Sequence, residues 1–155
     1  MMKREIVITS DGSTTIHLPD WNEQYHSKHG AIQEAYHVFI RTGFDKVLER
    51  KKEGFSILEI GFGTGLNAFI TFLEAKKTGL NIHYVGVEAY PVVIEEIQKL
   101  NYVSELKAEK SQIIFDKMHT VSWGEQHAIS EEFHFKKRKQ FFQDIQDQQT
   151  FDLLY

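Results

Sequence analysis

The chain has no cysteine and only two prolines in 155 residues. Without thiols, neither a disulfide framework nor a thiolate metal site is available. That fits a reducing compartment, and a cytoplasmic location is expected. Long apolar runs are also missing: nothing approaches the roughly 20 residues of a membrane-spanning helix. The segment after Met1-Met2-Lys3-Arg4 alternates apolar and polar residues instead of forming the apolar core of a secretory signal, so no membrane partner is expected. An excess of positive charge is absent as well. With a formal net charge of −4, the surface as a whole does not advertise nucleic-acid binding, and a nucleic-acid substrate would need a local basic patch. The one basic cluster is Lys136-Lys137-Arg138-Lys139. It is expected to be a solvated strand end, with contact to tRNA phosphates as the alternative. Eight histidines are present, but no His-Glu-x-x-His pattern accompanies them. His26, His29 and His37 therefore read as solvated or capping residues, and no metal site is expected.

What is present centres on residues 55–67, FSILEIGFGTGLN. Ser56-Ile57-Leu58-Glu59-Ile60 is a short apolar run of the kind found in a buried parallel strand. Gly61, Gly63 and Gly65 then alternate with Phe62 and Thr64, which lets the backbone turn sharply and approach a ligand closely. A dinucleotide fingerprint, G-x-G-x-x-G, would need its third glycine where Leu66 stands. A P-loop would need Gly-Lys-Ser/Thr, whereas Leu66 and Asn67 follow Gly65. The remaining pattern, E-x-G-x-G-x-G, resembles the first motif of class I S-adenosylmethionine-dependent methyltransferases. That resemblance implies glycine backbone against the methionine part of the cofactor; the competing reading is a glycine-rich turn that only connects strand to helix. A second acid supports a cofactor. Residues 81–87 read as another strand with Glu88 at its carboxyl end, where open α/β sheets place ligands and where a carboxylate can accept both ribose hydroxyls. Alternatively, Glu88 caps a helix opened by Pro91.

Along the chain, 5–9 and 14–18 read as a hairpin closed by Asp11-Gly12, followed by a loop at 21–29. Apolar spacing predicts one helix from Ala31 to Gly43 and a second from Phe44 to about Lys52. Helices are also expected at 66–77, 92–102 and, more weakly, 106–118, with a loop at 120–130 and strands at 132–136 and from 151 onward. Phe141-Phe142 reads as core. The division is a hairpin and helical annex at 1–53 and a cofactor-binding α/β part at 54–155, treated as one domain. The fold class is α/β, a Rossmann-like doubly wound sheet with an N-terminal β-hairpin annex. Such a sheet usually has seven strands, and about four follow the annex, so the sheet is expected to be incomplete at its C-terminal side, with an exposed last edge.

Several segments together carry a narrower resemblance. Tyr25-His26-Ser27, Gly30, Glu34-Ala35-Tyr36-His37-Val38-Phe39, Gly61-Phe62-Gly63-Thr64-Gly65-Leu66-Asn67 and Phe142-Gln143-Asp144-Ile145 resemble, in that order, the MnmC-like methyltransferases. Those enzymes complete 5-methylaminomethyl-2-thiouridine at the tRNA wobble position. The resemblance implies an N-methyltransferase acting on the aminomethyl group of tRNA and coupled to a flavin-dependent oxidase. It implies that Glu59, Gly61, Phe62, Gly63, Thr64, Gly65 and Asn67 wrap the methionine end of S-adenosylmethionine, that Glu88 takes the ribose and that Asp144 approaches the adenine amino group. It also implies that Tyr25, Ser27 and Glu34 close over the cofactor. The other readings are an ordinary half-buried aromatic for Tyr25, a surface helix charge for Glu34 and a solvated turn residue for Asp144. At the level of function, the alternatives are a methyltransferase for another small amine or a protein, or a non-catalytic cofactor-binding module. The family's catalytic aspartate follows the strand that begins at Phe151. No catalytic residue is therefore named, and residues 1–155 alone are expected to lack turnover.

Overall fold

The computed structural model describes residues 3–155. Two sheets are present among the described residues. The smaller joins β1 (Glu5–Ile8), β2 (Thr14–Leu18) and β3 (Glu23–Gln24) in antiparallel order. The turn between β1 and β2 is organised by Asp11, whose Oδ1 accepts the Ser13 N–H at 3.0 Å and the Thr9 hydroxyl at 2.8 Å. Its Oδ2 accepts the Gln33 N–H at 2.9 Å, satisfying an orphan donor in the first turn of the following helix. One carboxylate thus shapes the hairpin and ties it to the next element. β3 falls within the stretch expected to be a loop; it is two residues long and rests on β2 through His17 and Leu18, too short a segment for a period to register.

The helical part of the annex differs from expectation. α1 (Ala31–Ala35), a π-helical segment (Tyr36–Phe44) and α2 (Asp45–Leu48) run on without a break at Gly43. Gly43 has no positive φ and does not end the helix. A Cβ there would lie 3.3 Å from Leu153 Cδ1, so the missing side chain serves close approach to the last strand.

The larger sheet contains β4 (Gly54–Ile60), β5 (Asn81–Glu88), β6 (Gln126–Ala128), β7 (Phe133–Lys139) and β8 (Leu153–Leu154), in the order β6-β7-β5-β4-β8. The four strands β7, β5, β4 and β8 are parallel, and β6 is an antiparallel edge. α3 (Leu66–Thr78) connects β4 to β5. Successive strands are laid to one side of β4 until β8 takes the other, so the order reverses beside the carboxyl end of β4. This is the topological switch point where open α/β sheets bind ligands.

Aromatic side chains join the helices to one face of this sheet. Phe44 meets Phe55 at 5.2 Å between ring centroids and Phe72 meets Phe133 at 5.6 Å, while Phe69 of α3 meets Phe115 at 5.2 Å and so joins two of those helices to each other. Phe115 belongs to α6 (Gln112–Thr120), which a 3₁₀ turn at Glu109–Ser111 precedes. On the opposite face, Phe142, Ile145 and Phe151 come over Leu58 and Ile60 around a cavity of about 280 Å³.

Further expectations are corrected. In place of one helix at 92–102 there are α4 (Ile94–Ile97) and α5 (Tyr102–Glu105). Asn101 lies between them because its side chain is committed to the hairpin: Oδ1 accepts Thr14 N–H at 2.8 Å and Nδ2 donates to Gly12 O at 2.9 Å. The loop expected at 120–130 contains β6, paired with β7. Lys137 is not a solvated strand end. It shares the helix-facing side of β7 with Phe133 and Phe135, is buried, donates to His119 O at 2.7 Å and lies over the Trp123 ring, where it caps the last carbonyls of α6. Arg138 pairs with Asp147 through both terminal guanidinium nitrogens, at 2.6 and 3.1 Å. Phe141 and Phe142 are 47% and 69% exposed rather than core, because β7 ends at Lys139 and the chain turns over the end of the sheet, with a 3₁₀ turn at Phe142–Asp144.

Candidate functional site

The loop from Gly61 to Gly65 leaves β4 at the switch point and enters α3 with Gly65 in the left-handed region (φ 74°) as the residue before the helix. Gly61 and Phe62 both donate backbone N–H groups to Val87 O at 2.9 Å, which pins the loop to β5. Glu88, at the end of β5, holds the loop from the other side. Its Oε2 accepts the Gly63 N–H at 2.9 Å, and its Oε1 accepts the Tyr90 N–H, also at 2.9 Å. A carboxylate oxygen has more than one acceptor site, so Glu88 can fix the loop and still face a ligand. The capping alternative for Glu88 is met only in that it binds the Tyr90 N–H; the next helix, α4, begins later, at Ile94.

Two cavities meet at Gly61. One, of about 220 Å³, is lined by Tyr25, Glu59, Gly61, Phe62, Gly63, Thr64 and Asn67, together with His26, Glu34, Val38, Phe39 and Tyr155. The other, of about 340 Å³, is lined by Gly61 and Glu88 with Tyr90, Gln140, Phe141 and Phe142. A Cβ on Gly61 would meet no protein atom within 4 Å and would project into open space. Gly65 and Asp144 stand apart from both cavities. Gly65 faces His119, with a Cβ there 2.7 Å from the imidazole, and Asp144 is exposed in its 3₁₀ turn.

The annex forms the wall of the first cavity. Tyr25 lies so close to Gly63 that a Cβ there would be 2.7 Å from its ring. Tyr102 Oη donates to Thr64 Oγ1 at 3.2 Å, and Thr64 in turn meets His26 Nε2 at 3.0 Å. On the other side of its ring, His26 Nδ1 is 3.9 Å from Glu34, whose Oε2 accepts the Ser27 N–H at 2.8 Å. Glu34 is therefore not a free surface charge. His26, expected to be a solvated or capping residue, is instead largely buried between Thr64 and Glu34, and its place between Tyr25 and Ser27 is the sequence signal that points to it. Tyr90 and Tyr155 carry no such signal, because each follows the end of a strand, β5 and β8, and only the assembled sheet brings them to the cavities; Val38 lies within the Glu34 to Phe39 stretch of the motif.

Burial sets the protonation of the floor. Glu59 accepts from Tyr84 Oη at 2.7 Å and from Asn67 Nδ2 at 3.0 Å, yet desolvation outweighs both bonds and pushes its carboxyl up to about 8. Burial lowers His26 to about 4, with Glu34 opposing, and lowers His119 to about 3, with the Lys137 charge adding to the effect. These shifts act in opposite directions on stability. Below 6.5 the unfolded histidines bind protons that the folded ones refuse, so stability should rise from about pH 4 to 6.5. Between 4.5 and about 8 folded Glu59 keeps a proton that the unfolded residue releases, so its contribution should fall with rising pH. The expected result is a thermal midpoint that declines from pH 6.5 to 8, and a Glu59→Gln variant in which the decline is absent and the midpoint rises slightly towards pH 8, because burial lowers Lys137 to about 8 and its folded form begins to lose a proton that the unfolded residue keeps. A decline of equal size in the variant would assign it to another group.

The parallel sheet with its switch point, the glycine loop between strand and helix, and the acid at the end of the next strand define a Rossmann-like α/β fold with a candidate ligand site at the switch point. No family model matches the chain. Over 97 residues, 61% of this chain and 14% of the relative's length, the sequence is 34% identical to the tRNA 5-methylaminomethyl-2-thiouridine biosynthesis bifunctional protein MnmC of Burkholderia mallei (strain SAVP1). It matches the protein of the same name from Burkholderia pseudomallei (strain 668) to the same extent. The fold is similar to the crystal structure of MNMC2 from Aquifex aeolicus, with a TM-score of 0.65 over 95% of this chain and 47% of that one, at 22% identity. Both comparisons fall on the MnmC group that the sequence motifs resemble. The chain spans only a small part of the curated relatives it matches.

Proposed function

We propose that this chain is the S-adenosylmethionine-binding part of an N-methyltransferase that acts on the aminomethyl group of the wobble uridine in tRNA. The observation that carries the reading is the pair of cavities meeting at side-chain-free Gly61, with Glu88 lining the larger one. An elongated ligand with a nucleoside at one end and an amino acid at the other suits that shape. The adenosine end would lie among Tyr90, Phe141 and Phe142, with the ribose at Glu88, and the methionine end against Glu59, Asn67 and the loop. Asn67 Oδ1 is buried without a hydrogen-bond partner and borders the smaller cavity, an acceptor waiting for a donor. When bound, the cofactor supplies a sulfonium methyl for in-line transfer to an uncharged amine. The protein's share is then chiefly positioning. Asp144 would reach the adenine amino group only after the 3₁₀ turn moves. The relatives' name, a bifunctional protein of tRNA 5-methylaminomethyl-2-thiouridine biosynthesis, supports tRNA as the methyl acceptor; a cytoplasmic site of action and coupling to a flavin-dependent oxidase belong to the same proposal and rest on the motif resemblance alone.

The test has two arms. Calorimetry should detect binding of S-adenosylmethionine to the folded chain, and preferential binding of a nicotinamide dinucleotide would reject the cofactor. Nucleoside mass spectrometry of tRNA from a strain lacking the gene should show the unmethylated aminomethyl nucleoside accumulating. Unchanged tRNA would move the acceptor to another amine or a protein.

A further inference from the structure

Arg4, the residue before β1, lines neither cavity but reaches the residues that wall them. Its side chain is only 10% exposed. Nη2 donates to Tyr90 O at 2.8 Å, and Nη1 donates to Glu96 Oε2 of α4 at 3.1 Å. Tyr90 lines the larger cavity, and its backbone is thereby held from two sides, since Glu88 Oε1 accepts its N–H while Arg4 donates to its carbonyl. The Tyr90 ring then meets Phe141 of the same cavity edge-on, at 5.7 Å between centroids.

The same guanidinium neighbours Tyr25, in the wall of the smaller cavity. Burial raises the Tyr25 hydroxyl, and the Arg4 charge beside it acts the other way. Tyr25 in turn presses on the loop, where a Cβ on Gly63 would lie 2.7 Å from its ring. Arg4 Nε is buried with no hydrogen-bond partner among the described residues, so the group has a donor left to give. The rest of the annex is fastened elsewhere: Asn101 bonds Thr14 and Gly12 at the far end of the hairpin. The bonds of Arg4 therefore act at the ligand groove and are not needed to hold the hairpin in place.

Resting on the cofactor reading above, we propose that Arg4 is a positioning residue for the bound cofactor, a clasp that fixes Tyr25 at the methionine end and Tyr90 at the adenosine end together. It touches no reacting atom. One guanidinium sets both aromatic walls in advance, so the ordering they would otherwise undergo on binding is already complete. Walls that stay in place delay escape, and the effect falls on dissociation more than on association. Lysine cannot replace arginine in full. It presents one nitrogen, whereas the two terminal nitrogens of Arg4 diverge to separate acceptors on Tyr90 and Glu96.

The experiment is surface plasmon resonance with the full chain immobilised and S-adenosylmethionine in solution, which gives both rate constants. Arg4→Met should raise the dissociation rate about tenfold and leave association within about twofold, with Arg4→Lys between it and wild type. Glu96→Gln, which leaves Arg4 its bond to Tyr90, should raise dissociation less. A residue that only supports the fold would lower the thermal midpoint and leave the folded fraction releasing ligand at the wild-type rate. That result, or a loss carried by association alone, would overturn the clasp and leave the cofactor reading intact. Failure of the wild type to bind S-adenosylmethionine would remove both. Hydrogen exchange on the wild-type chain decides the matter even where Arg4→Met does not fold: S-adenosylmethionine should slow exchange at residues 4–8 together with 23–28 and 90–97. Protection at 61–67 and 88–90 with none at 4–8 would equally overturn the clasp.

Discussion

Glu88→Gln is expected to weaken S-adenosylmethionine binding by roughly 10²- to 10³-fold while leaving the chain folded. In the wild type each carboxylate oxygen accepts a backbone N–H, from Gly63 and from Tyr90, both at 2.9 Å. Glutamine offers one oxygen and one NH₂ group at those positions, so one backbone donor would face another. A part-buried donor left unpaired costs about 1–3 kcal/mol. The glycine loop would then relax from the position Glu88 imposes on Gly63. The ribose would also lose its charged acceptor, and hydrogen bonds to charged groups contribute about 1.5–3 kcal/mol. Only part of each sum reaches affinity, hence the range given. Glu88→Ala should do no better, because both donors lose their partner. Calorimetry gives the affinity, and a thermal midpoint within a few degrees of wild type checks the fold. A loss under about threefold with the fold intact would place the ribose elsewhere.

The part of the site that could be read in the sequence is the part made from contiguous chain. Residues 55–67 hold strand, turn and helix start in one stretch, and the spacing of three glycines restricts the ligand because backbone geometry there is local. Glu88 was accessible for a similar reason: the end of a strand next to the first is a fixed place in an open sheet. Sequence patterns could not give the second cavity. Tyr90, Phe141 and Phe142 gather there only because the chain turns over the sheet end after Lys139, and two adjacent phenylalanines look like core when the turn is unseen. Lys137 failed for a related reason. A strand of period two sends alternate residues to opposite faces, so a run of four basic residues cannot all be solvated when one face is packed. The π-helical segment and the continuity through Gly43 were hidden because glycine reads as a breaker, whereas here it makes room for Leu153.

The largest effect on stability is expected at a glycine outside the glycine-rich loop. Gly54 opens β4 with φ of 153° and pairs with Asn81 at the first rung of the central parallel ladder. A Cβ there would lie 2.0 Å from Asn81 O and 2.9 Å from Asn81 C. These are backbone atoms, and Asn81 is itself held by its N–H bond to Glu53 O at 3.1 Å. Relief therefore requires opening the start of the β4–β5 pair, on which the aromatic contacts of Phe55 depend. Gly54→Ala combines a backbone conformation costing about 1–3 kcal/mol with a collision that cannot be relieved by a side-chain rotation. A destabilisation of about 4 kcal/mol or more is expected, enough to leave a marginally stable domain largely unfolded. Gly79→Ala is the matched control. It too has a positive φ, 67°, at the end of α3, but a Cβ there meets nothing within 4 Å. It should cost only about 1–2 kcal/mol, the price of the left-handed conformation. Urea titrations followed by far-ultraviolet circular dichroism should show a modest shift in midpoint for Gly79→Ala and no cooperative native baseline for Gly54→Ala. Equal midpoints would mean that the start of β4 can move away from Asn81 at little cost and that the β4–β5 register is not fixed there.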